Sequence, residues 1–574
     1  MKQKGVRRNV ELVLMLLWGL WMQNTAGEYS VYLAVLCGGL LSWSYLEKRE
    51  EKSPAIVRGF ACFFAACVVL GTISRLLWPS PYWISLGLTR VAGLILVSVG
   101  SFIVFRQILQ ALWVLAQQAP PAETPQRRGA WAFFGTWALL ALAYSLVLWL
   151  AFYPGIFSID NVRQLREIMG MEPMSNANPY YHTRLIGFFI RLGMELTGDM
   201  AVGVVLFSQF SVLAMSACLA YGVYVLWKET GSKWAAGLLA GVYLVSPMYI
   251  LYSFTMWKDV LFSGAVMTFA LSLFRWERGA KRAHPLVLFS AMAMCLMRVN
   301  GVLDLAIVLA IAALLLGKGR RKKLLPLAGV TAAGFFLVFP LLSYLGISQP
   351  DPVETISIPM QQIAYVISEN CPISQEDQAL LEEIVDVEKI PEAYRSYISD
   401  PIKYLLWDKD NLDYYEAHKL QYLGLYLRLG ARYPLEYLQA WSEQTKGYWE
   451  GGYAYDRWNT KIDGNPWGLS VEPKVPRLQS AVLQYLDVWE SSYLTRLPLC
   501  LGLYFWVCLG CLFVGRVQKD PAMTLACLPF LTVVLLLAIG TPVFAEFRYG
   551  FPLVCGVPVV LLLTVCRLGK FGNP

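Results

Sequence analysis

Residues 201–227 read AVGVVLFSQFSVLAMSACLAYGVYVLW, and this stretch decides the fold class because it contains no charged residue. A helix that crosses a bilayer needs about 20 consecutive apolar residues, and similar runs recur along the 574-residue chain. The chain is 57% hydrophobic and 15% charged, whereas a soluble globular protein has about 25% charged residues. This composition excludes an ordinary cytosolic enzyme and predicts an all-α polytopic membrane protein. We predict fourteen transmembrane helices, with approximate limits 9–25, 31–46, 56–76, 91–116, 131–152, 201–227, 235–253, 259–275, 285–298, 301–317, 324–346, 496–515, 521–540 and 549–567.

The basic residues predict the orientation of these helices. Lys and Arg number 48 against 40 Asp and Glu, a formal net charge of +8, and cytoplasmic loops carry an excess of Lys and Arg. When the amino terminus is placed in the cytoplasm, the basic clusters all fall on the cytoplasmic side, and so does the carboxyl terminus. The positive charge is therefore interpreted as topology rather than as affinity for nucleic acid. Residues 1–27 have the charge pattern of a signal peptide, but an uncleaved first span keeps this topology consistent.

Two long segments are predicted to lie on the outer side of the membrane. Residues 153–200 form the first outer loop, in which the apolar run 184–196 is interpreted as an interfacial helix, because a span there would place the basic segment 275–282 outside. Residues 347–494 form a mainly helical insert between the eleventh and twelfth spans, whose tryptophans are expected in its core. The predicted domains are four leading transmembrane helices at 1–130, a membrane core at 131–346, the extracytoplasmic helical domain at 347–494 and the C-terminal transmembrane helices at 495–574.

Polar residues from four distant segments are predicted to share the outer membrane level. They are Asp160, the segment Trp257-Lys258-Asp259, the segment Arg298-Val299-Asn300, and the segment Glu546-Phe547-Arg548-Tyr549. The turn at 297–301 is expected to be sunk below the outer surface, where irregular backbone must be shielded from lipid. Charges near hydrocarbon are costly and usually mark a substrate or ion path. The sequence therefore predicts a functional site at the outer end of the bundle.

Neither a metal ion nor another cofactor is predicted. The three histidines, His182, His284 and His418, are far apart in sequence, and nearly all of the 12 cysteines lie inside apolar runs. These spacings give no local metal-ligand motif and no disulfide framework. A divalent metal is possible but nothing in the sequence indicates one.

Several short motifs resemble those of membrane glycosyltransferases with the GT-C fold. The chain has YPGIFSID at 153–160, a short outer helix, WKD at 257–259, RVNG at 298–301 and EFRYGFP at 546–552. It is most similar to a bacterial branch of uncharacterised membrane proteins in that superfamily, with PMQQIA at 359–364 and YPLEYLQA at 433–440. The resemblance covers roughly residues 131–567 and leaves the four leading helices outside it.

The resemblance implies transfer of a sugar from a polyprenyl-phosphate donor to an acceptor at the outer face of a bacterial cytoplasmic membrane. Asp160 takes the position of the general base, which removes the proton of the attacking hydroxyl, and direct displacement inverts the anomeric centre. Cations neutralise the leaving phosphate. The residues expected to bind substrate are Lys258, Asp259, Arg298, Asn300, Arg548, Glu546, His182 and Gln362.

The sequence departs from the superfamily pattern at two places. Many members have a His-Pro or Lys-Pro pair after the first-loop Asp, whereas this chain has Pro179-Tyr180-Tyr181-His182. Only one clear Asp stands at the start of the loop, so the paired-acid metal site of some oligosaccharyl transferases is not evident.

Each candidate residue also has a structural interpretation. Asp160 suits a helix N-cap, Lys258 and Asp259 suit an ion pair with each other, and Asp304 suits a partner of Arg298 or Asn300. The remaining structural readings are a cap for Asn300, an interfacial ion pair for Glu546 and Arg548, a membrane-surface anchor for Tyr549 and a hydrogen-bonding loop residue for His182.

Two other functions stay open at the level of sequence. A lipid or polysaccharide transporter or flippase needs broken or polar helices at the bilayer midplane and usually an internal repeat, and neither is visible. A non-catalytic envelope assembly protein would use the outer insert as its binding surface, but it has no reason to bury Arg298 and Asp304. Among enzymes, a ligase acting on lipid-linked glycans is the nearest alternative.

Overall fold

The computed structural model describes residues 2–25, 29–48, 53–77, 87–119, 129–316, 321–454 and 458–569. Within these ranges the chain is almost entirely helical, and its only β-type contacts are isolated bridges. The α-helices of the amino-terminal half are α1 Lys2–Thr25, α2 Tyr29–Tyr45, α3 Ala55–Leu77, α4 Gly87–Gln118, α5 Ala130–Ala151, α6 Ile159–Ile168, α7 Tyr180–Thr197, α8 Met200–Thr230, α9 Lys233–Val245, α10 Pro247–Ser253, α11 Lys258–Glu277, α12 His284–Met297 and α13 Gly301–Leu315. Those of the carboxyl-terminal half are α14 Leu325–Val338, α15 Pro340–Tyr344, α16 Ser357–Ser368, α17 Gln375–Glu382, α18 Ile390–Ala393, α19 Asp400–Lys409, α20 Leu412–Ala417, α21 Lys419–Arg432, α22 Pro434–Trp449, α23 Pro476–Ser491, α24 Tyr493–Arg496, α25 Leu501–Val517, α26 Pro521–Gly540 and α27 Phe547–Leu568.

The predicted class, an all-α polytopic membrane protein, is confirmed. Eight of the described helical segments are long and apolar enough to cross a membrane, or up to 9 if one bent pair is counted as a single span. That bent pair is α9 and α10, which meet at 61° where Pro247 begins the second helix. Helices α13 and α25 are apolar but shorter. Every predicted span coincides with a helix or a pair of helices, while the number of fourteen crossings stays a prediction.

Helices α8 and α11 form the centre of the bundle. Asp199 caps α8 by accepting a hydrogen bond from the Ala201 N–H at 2.8 Å, and Gly231 ends it in the left-handed conformation, with φ +66°. Helix α11 is largely buried among α8, α12, α26 and α27. The amphipathic helix α7 packs closely on α8, since a Cβ at Gly193 would lie 2.2 Å from the Gly203 nitrogen. Helix α7 is therefore fixed against the bundle although it is not among the candidate spans.

The segment predicted as an outer insert is helical and contributes to two apolar cores. Buried apolar residues between Val353 and Tyr437 form a separate core, and Trp407 packs against it, partly buried. Helix α22 then packs against α3, α25 and α26, and Trp449 and Trp489 join the main core. The expectation that the tryptophans lie in the core of the insert is confirmed for Trp407, whereas Trp449 and Trp489 pack into the main core instead. The side of the membrane on which the segment lies stays a prediction.

Candidate active site

The loop after α5 is aligned with the segment that precedes α11. Ile156 and Thr255 form a parallel bridge, and the Met256 N–H donates to the Ile156 carbonyl at 2.9 Å. Gly155 lets the same loop lie close to α8, because its φ is +139° and a Cβ there would lie 2.2 Å from Ser208 Oγ. The alignment brings the start of α6, which carries Asp160, beside the start of α11.

The amino terminus of α6 is capped by residues other than Asp160. Ser158 is the N-cap residue, and its hydroxyl accepts a hydrogen bond from Trp257 Nε1 at 2.8 Å. Asp463, from the distant segment before α23, accepts from the Ile159 N–H at 2.8 Å. The N-cap interpretation of Asp160 is therefore wrong, because Asp160 lies inside the first turn. Its carboxylate is free to face Arg548.

Asp160 forms an ion pair with Arg548. The guanidinium Nη1 donates to Asp160 Oδ2 at 2.7 Å, and the two side chains keep 35% and 18% of their surface exposed. Burial raises the pKa of Asp160, but the charges of Lys258 and Arg548 outweigh it and lower the pKa to about 2. The carboxylate is thus ionised at neutral pH and borders an accessible space. Glu546 Oε1 lies 3.7 Å from Arg548 Nε, which confirms the proximity predicted for these two residues.

Lys258 bonds to the segment between α6 and α7 rather than to Asp259. Its Nζ donates to Asn178 Oδ1 at 2.8 Å, and the Asn178 amide donates to the backbone carbonyl of Asp160 at 3.3 Å. Asn178 therefore links the ammonium group to the helix that carries the carboxylate. No signal in the sequence singles out Asn178 beyond its place in that segment.

Asp259 instead pairs with Arg298, the residue that begins the turn between α12 and α13. Arg298 Nη1 lies 2.9 Å from Asp259 Oδ1, whose side chain is only 1% exposed. The predicted pairs of Lys258 with Asp259 and of Arg298 with Asp304 are therefore wrong, because the two members of each pair do not contact each other directly. The Asp259 carboxylate is buried, and a buried charge without a partner of opposite sign is costly. The Arg298 guanidinium is that partner.

Tyr549 connects the two guanidinium groups. The Cζ of Arg298 lies 4.8 Å from its ring centroid and that of Arg548 lies 5.1 Å from it. Trp257 also faces Arg548, with Cζ 5.3 Å from the ring. Contacts of this kind stabilise cations on aromatic faces. Tyr549 is thus part of the charged cluster rather than a lone anchor at the membrane surface.

The three remaining residues that were predicted to bind substrate, His182, Asn300 and Gln362, lie in different surroundings. His182 is fully buried below the cluster, with Nδ1 3.1 Å from Gln164 Nε2, and burial together with the nearby Lys258 lowers its pKa to about 3, so the ring is neutral. Asn300 is exposed at the N-cap position of α13 but makes no side-chain cap bond. Gln362 does not join the cluster, because it binds the Tyr437 carbonyl and the Tyr426 hydroxyl inside the separate core.

The loop that delivers Glu546 and Arg548 is held by α22. The Tyr448 hydroxyl donates to the Val543 carbonyl at 2.7 Å and accepts from the Glu546 N–H at 3.0 Å. The Gln444 amide donates to the Thr541 carbonyl at 2.9 Å. Sequence reasoning missed both residues, although they lie four and eight residues after the YPLEYLQA motif on the same helix.

We expect Tyr448→Phe to loosen this loop. The change leaves the Glu546 N–H without its partner, which costs about 1–3 kcal/mol. The Val543 carbonyl loses one of its two donors and keeps the Thr541 hydroxyl. Thermal unfolding of the purified protein, followed by tryptophan fluorescence, measures the loss. Tyr485→Phe is the matched control, since its exposed hydroxyl donates one bond to the Val245 carbonyl. Equal unfolding temperatures for the two variants would contradict the role of Tyr448.

The fold and the site together define a multi-pass membrane protein with a charged cluster assembled from remote segments. A family model described as "Family of unknown function (DUF6020)" matches residues 171–570. The chain belongs to this family. The comparison with curated proteins gives no match, and neither does the comparison with solved structures.

Proposed function

We propose that the protein is an inverting glycosyltransferase that uses a polyprenyl-phosphate sugar donor. The observation that supports this proposal is the meeting of the Asp160 carboxylate with two cations from sequence-distant segments, Lys258 and Arg548. A third cation, Arg298, is joined to Arg548 through the ring of Tyr549. A site for this reaction needs one carboxylate to receive a proton and cations to accept a phosphate. The reaction class comes from the resemblance to GT-C enzymes, and the geometry is compatible with it.

The proposed reaction is a single displacement. The acceptor hydroxyl attacks the anomeric carbon, the bond from that carbon to the phosphate oxygen breaks, and polyprenyl phosphate leaves. The proton of the hydroxyl passes to Asp160. Two guanidinium groups of the cluster are paired with carboxylates, Arg548 with Asp160 and Glu546, and Arg298 with Asp259. An incoming phosphate must compete with these carboxylates for a guanidinium group, whereas Lys258 is bonded to the neutral amide of Asn178.

Arg548 is the cation that we expect the phosphate to recruit. Its partner Asp160 is more exposed than Asp259, the partner of Arg298. When Arg548 turns to the phosphate, Asp160 loses the closest of its cations and its proton affinity rises. Donor binding would in this way convert a weakly basic ion-paired carboxylate into the general base.

The finer assignments of topology belong to the same proposal. We place both termini in the cytoplasm of a bacterium, with fourteen crossings of the cytoplasmic membrane. The charged cluster and residues 347–494 then lie on the outer side. The distribution of basic residues supports this orientation.

A donor screen tests the proposal. Purified protein is incubated with a panel of polyprenyl-phosphate sugars, and donor binding and released polyprenyl phosphate are both measured. We expect at least one donor to bind, and Arg548→Gln to weaken its binding by about tenfold, since charge-assisted hydrogen bonds are worth about 1.5–3 kcal/mol. Arg432→Gln, on an exposed residue of α21, is the control. Failure of every donor to bind would favour the non-catalytic assembly protein. Transport of the lipid-linked sugar across a vesicle membrane without release of polyprenyl phosphate would favour the flippase.

The pH dependence of transfer gives a separate test. Asp160 has a pKa of about 2 in the folded protein, below its usual value of about 3.9. Its ionised form therefore stabilises the fold at pH values above about 3.9. This contribution is lost as the pH falls toward 2. Arg548→Gln removes one of the cations that lower the pKa. We expect the acidic limb of the normalised rate to move up by about one pH unit or more. The profile is measured as kcat/KM, which reports the free enzyme, between pH 3 and 8. Because the Asp160 pKa is about 2, the wild-type profile should stay flat down to pH 3, whereas that of Arg548→Gln should fall as the pH approaches 3. Flat profiles for both proteins would contradict the pairing.

A further inference from the structure

A cavity lies between α6 and α7, at the opposite end of α6 from Asp160. Its volume is about 360 Å³. The residues that border it include Glu167, Thr183, Arg184, Phe188, Arg191 and Glu195. The proposed transfer reaction uses none of these side chains.

Two cations border this cavity on one face of α7. Arg184 and Arg191 are seven residues apart, so they lie on the same side of the helix about 10 Å apart along its axis, and both side chains are exposed. Neither arginine has an ion pair or a side-chain hydrogen bond within the described ranges of the chain. Two long guanidinium side chains at this spacing can reach one phosphate group between them.

A buried carboxylate borders the same cavity from α6. Glu167 is 4% exposed, and its Oε1 accepts a hydrogen bond from Ser175 Oγ at 2.6 Å. Its Oε2 is buried and has no hydrogen-bond partner among the residues that the structure describes. A buried acceptor without a donor costs free energy, and a ligand with an N–H or O–H group would remove that cost once the Glu167 side chain turns its Oε2 toward the cavity.

An exposed aromatic side chain borders the cavity on the same face of α7 as the two arginines and Glu195. Phe188 stands between the two arginines in sequence and is 60% exposed, and Gly193 holds α7 against the candidate span α8. Amphipathic helices with cations and exposed apolar residues bind at membrane surfaces. An acyl chain can therefore follow Phe188 while a headgroup enters the cavity.

We propose that the cavity between α6 and α7 binds a phospholipid whose headgroup carries a hydrogen-bond donor, such as phosphatidylethanolamine or phosphatidylglycerol. Arg184 and Arg191 hold the phosphate, and Glu167 accepts the N–H or O–H of the headgroup. Phosphatidylcholine has the same phosphate but no such donor, so the site discriminates against it. This site is separate from the Asp160 cluster and does not depend on the transfer reaction.

Lipid binding to the detergent-purified full-length chain tests the proposal by native mass spectrometry. Three lipids with identical acyl chains are compared: phosphatidylethanolamine, phosphatidylglycerol and phosphatidylcholine. We expect the first two to bind about tenfold more tightly than the third, the difference of one buried charge-assisted hydrogen bond. Equal binding of all three lipids would overturn the proposal. So would displacement of the bound lipid by an equimolar amount of water-soluble phosphoethanolamine, because the acyl chain would then contribute nothing.

Two variants separate the roles of the side chains. The double variant Arg184→Gln, Arg191→Gln should weaken binding of all three lipids by about tenfold or more. Both arginines are exposed, so the fold should tolerate the change. Arg432→Gln, Arg477→Gln removes the same charge from exposed positions elsewhere and is the matched control. Glu167→Met should abolish the preference over phosphatidylcholine. Equal weakening in the control, or an unchanged preference in Glu167→Met, would contradict the site.

Discussion

Replacement of Asp160 by Asn is expected to lower the rate of sugar transfer by about a thousandfold, within the range of about 10²–10⁴ that a positioned general base contributes. The amide keeps the size of the side chain but cannot take the proton of the attacking hydroxyl. Donor binding should be unchanged or tighter, because Arg548 loses its partner at 2.7 Å and is free for the phosphate. Single-turnover release of polyprenyl phosphate and equilibrium donor binding, measured on the same preparation, separate the two effects.

The control for this experiment is Asp199→Asn. Asp199 is an exposed carboxylate that caps α8, and Asn is an equally good N-cap residue. Equal turnover in wild type and Asp160→Asn would remove Asp160 from the chemistry. A loss confined to Glu546→Gln would move the base to Glu546, whose pKa is raised by burial against the opposing charge of Arg548. Parallel loss of binding and turnover in Asp160→Asn would make the residue structural.

Replacement of Asp259 by Ala is expected to lower the free energy of unfolding by about 3–5 kcal/mol, the usual cost of removing one partner from a buried ion pair. In the unmodified protein the Arg298 guanidinium lies 2.9 Å from Asp259 Oδ1. The change to Ala leaves this guanidinium without its carboxylate partner. The double variant Asp259→Leu, Arg298→Met removes both charges and should recover most of the lost stability. Unfolding in mixed detergent micelles, followed by tryptophan fluorescence, measures the three values.

An exposed pair provides the comparison for this cycle. Asp386 and Lys389 lie 2.9 Å apart with both side chains well exposed, and such pairs contribute about 0–1 kcal/mol. Asp386→Ala should therefore have a small effect. If Asp259→Ala is no more destabilising than Asp386→Ala, or if the double variant is as unstable as Asp259→Ala, the pair does not stabilise the fold as proposed.

The sequence located most of the cluster because unusual residues stand out in an apolar chain. A carboxylate after a span, as at Asp160, and cations at span ends, as at Lys258, Arg298 and Arg548, are conspicuous against their neighbours. Their partners were not predictable in the same way. Asn178, Tyr448 and Asp463 are ordinary polar residues of loops or helices, and only their positions in space connect them to the site.

Gln362 illustrates the limit of motif resemblance. Its place in PMQQIA suggested substrate binding, whereas its amide is used to join α16 with α21 and α22. The neighbouring Gln361 donates to the Arg395 and Ile398 carbonyls. These glutamines satisfy buried backbone and side-chain groups, so a short motif can be distinctive for reasons of packing alone.

The sequence by itself determined the helical membrane class, because hydrophobicity and length are properties of each segment and do not depend on its neighbours. It also determined which charged residues lie at the ends of those helices. Only the tertiary structure decided the pairs, placing Arg548 on Asp160, Arg298 on Asp259 and Lys258 on Asn178. The choice of partner depends on the packing of helices to within an ångström, since a charge-assisted hydrogen bond acts over about 3 Å.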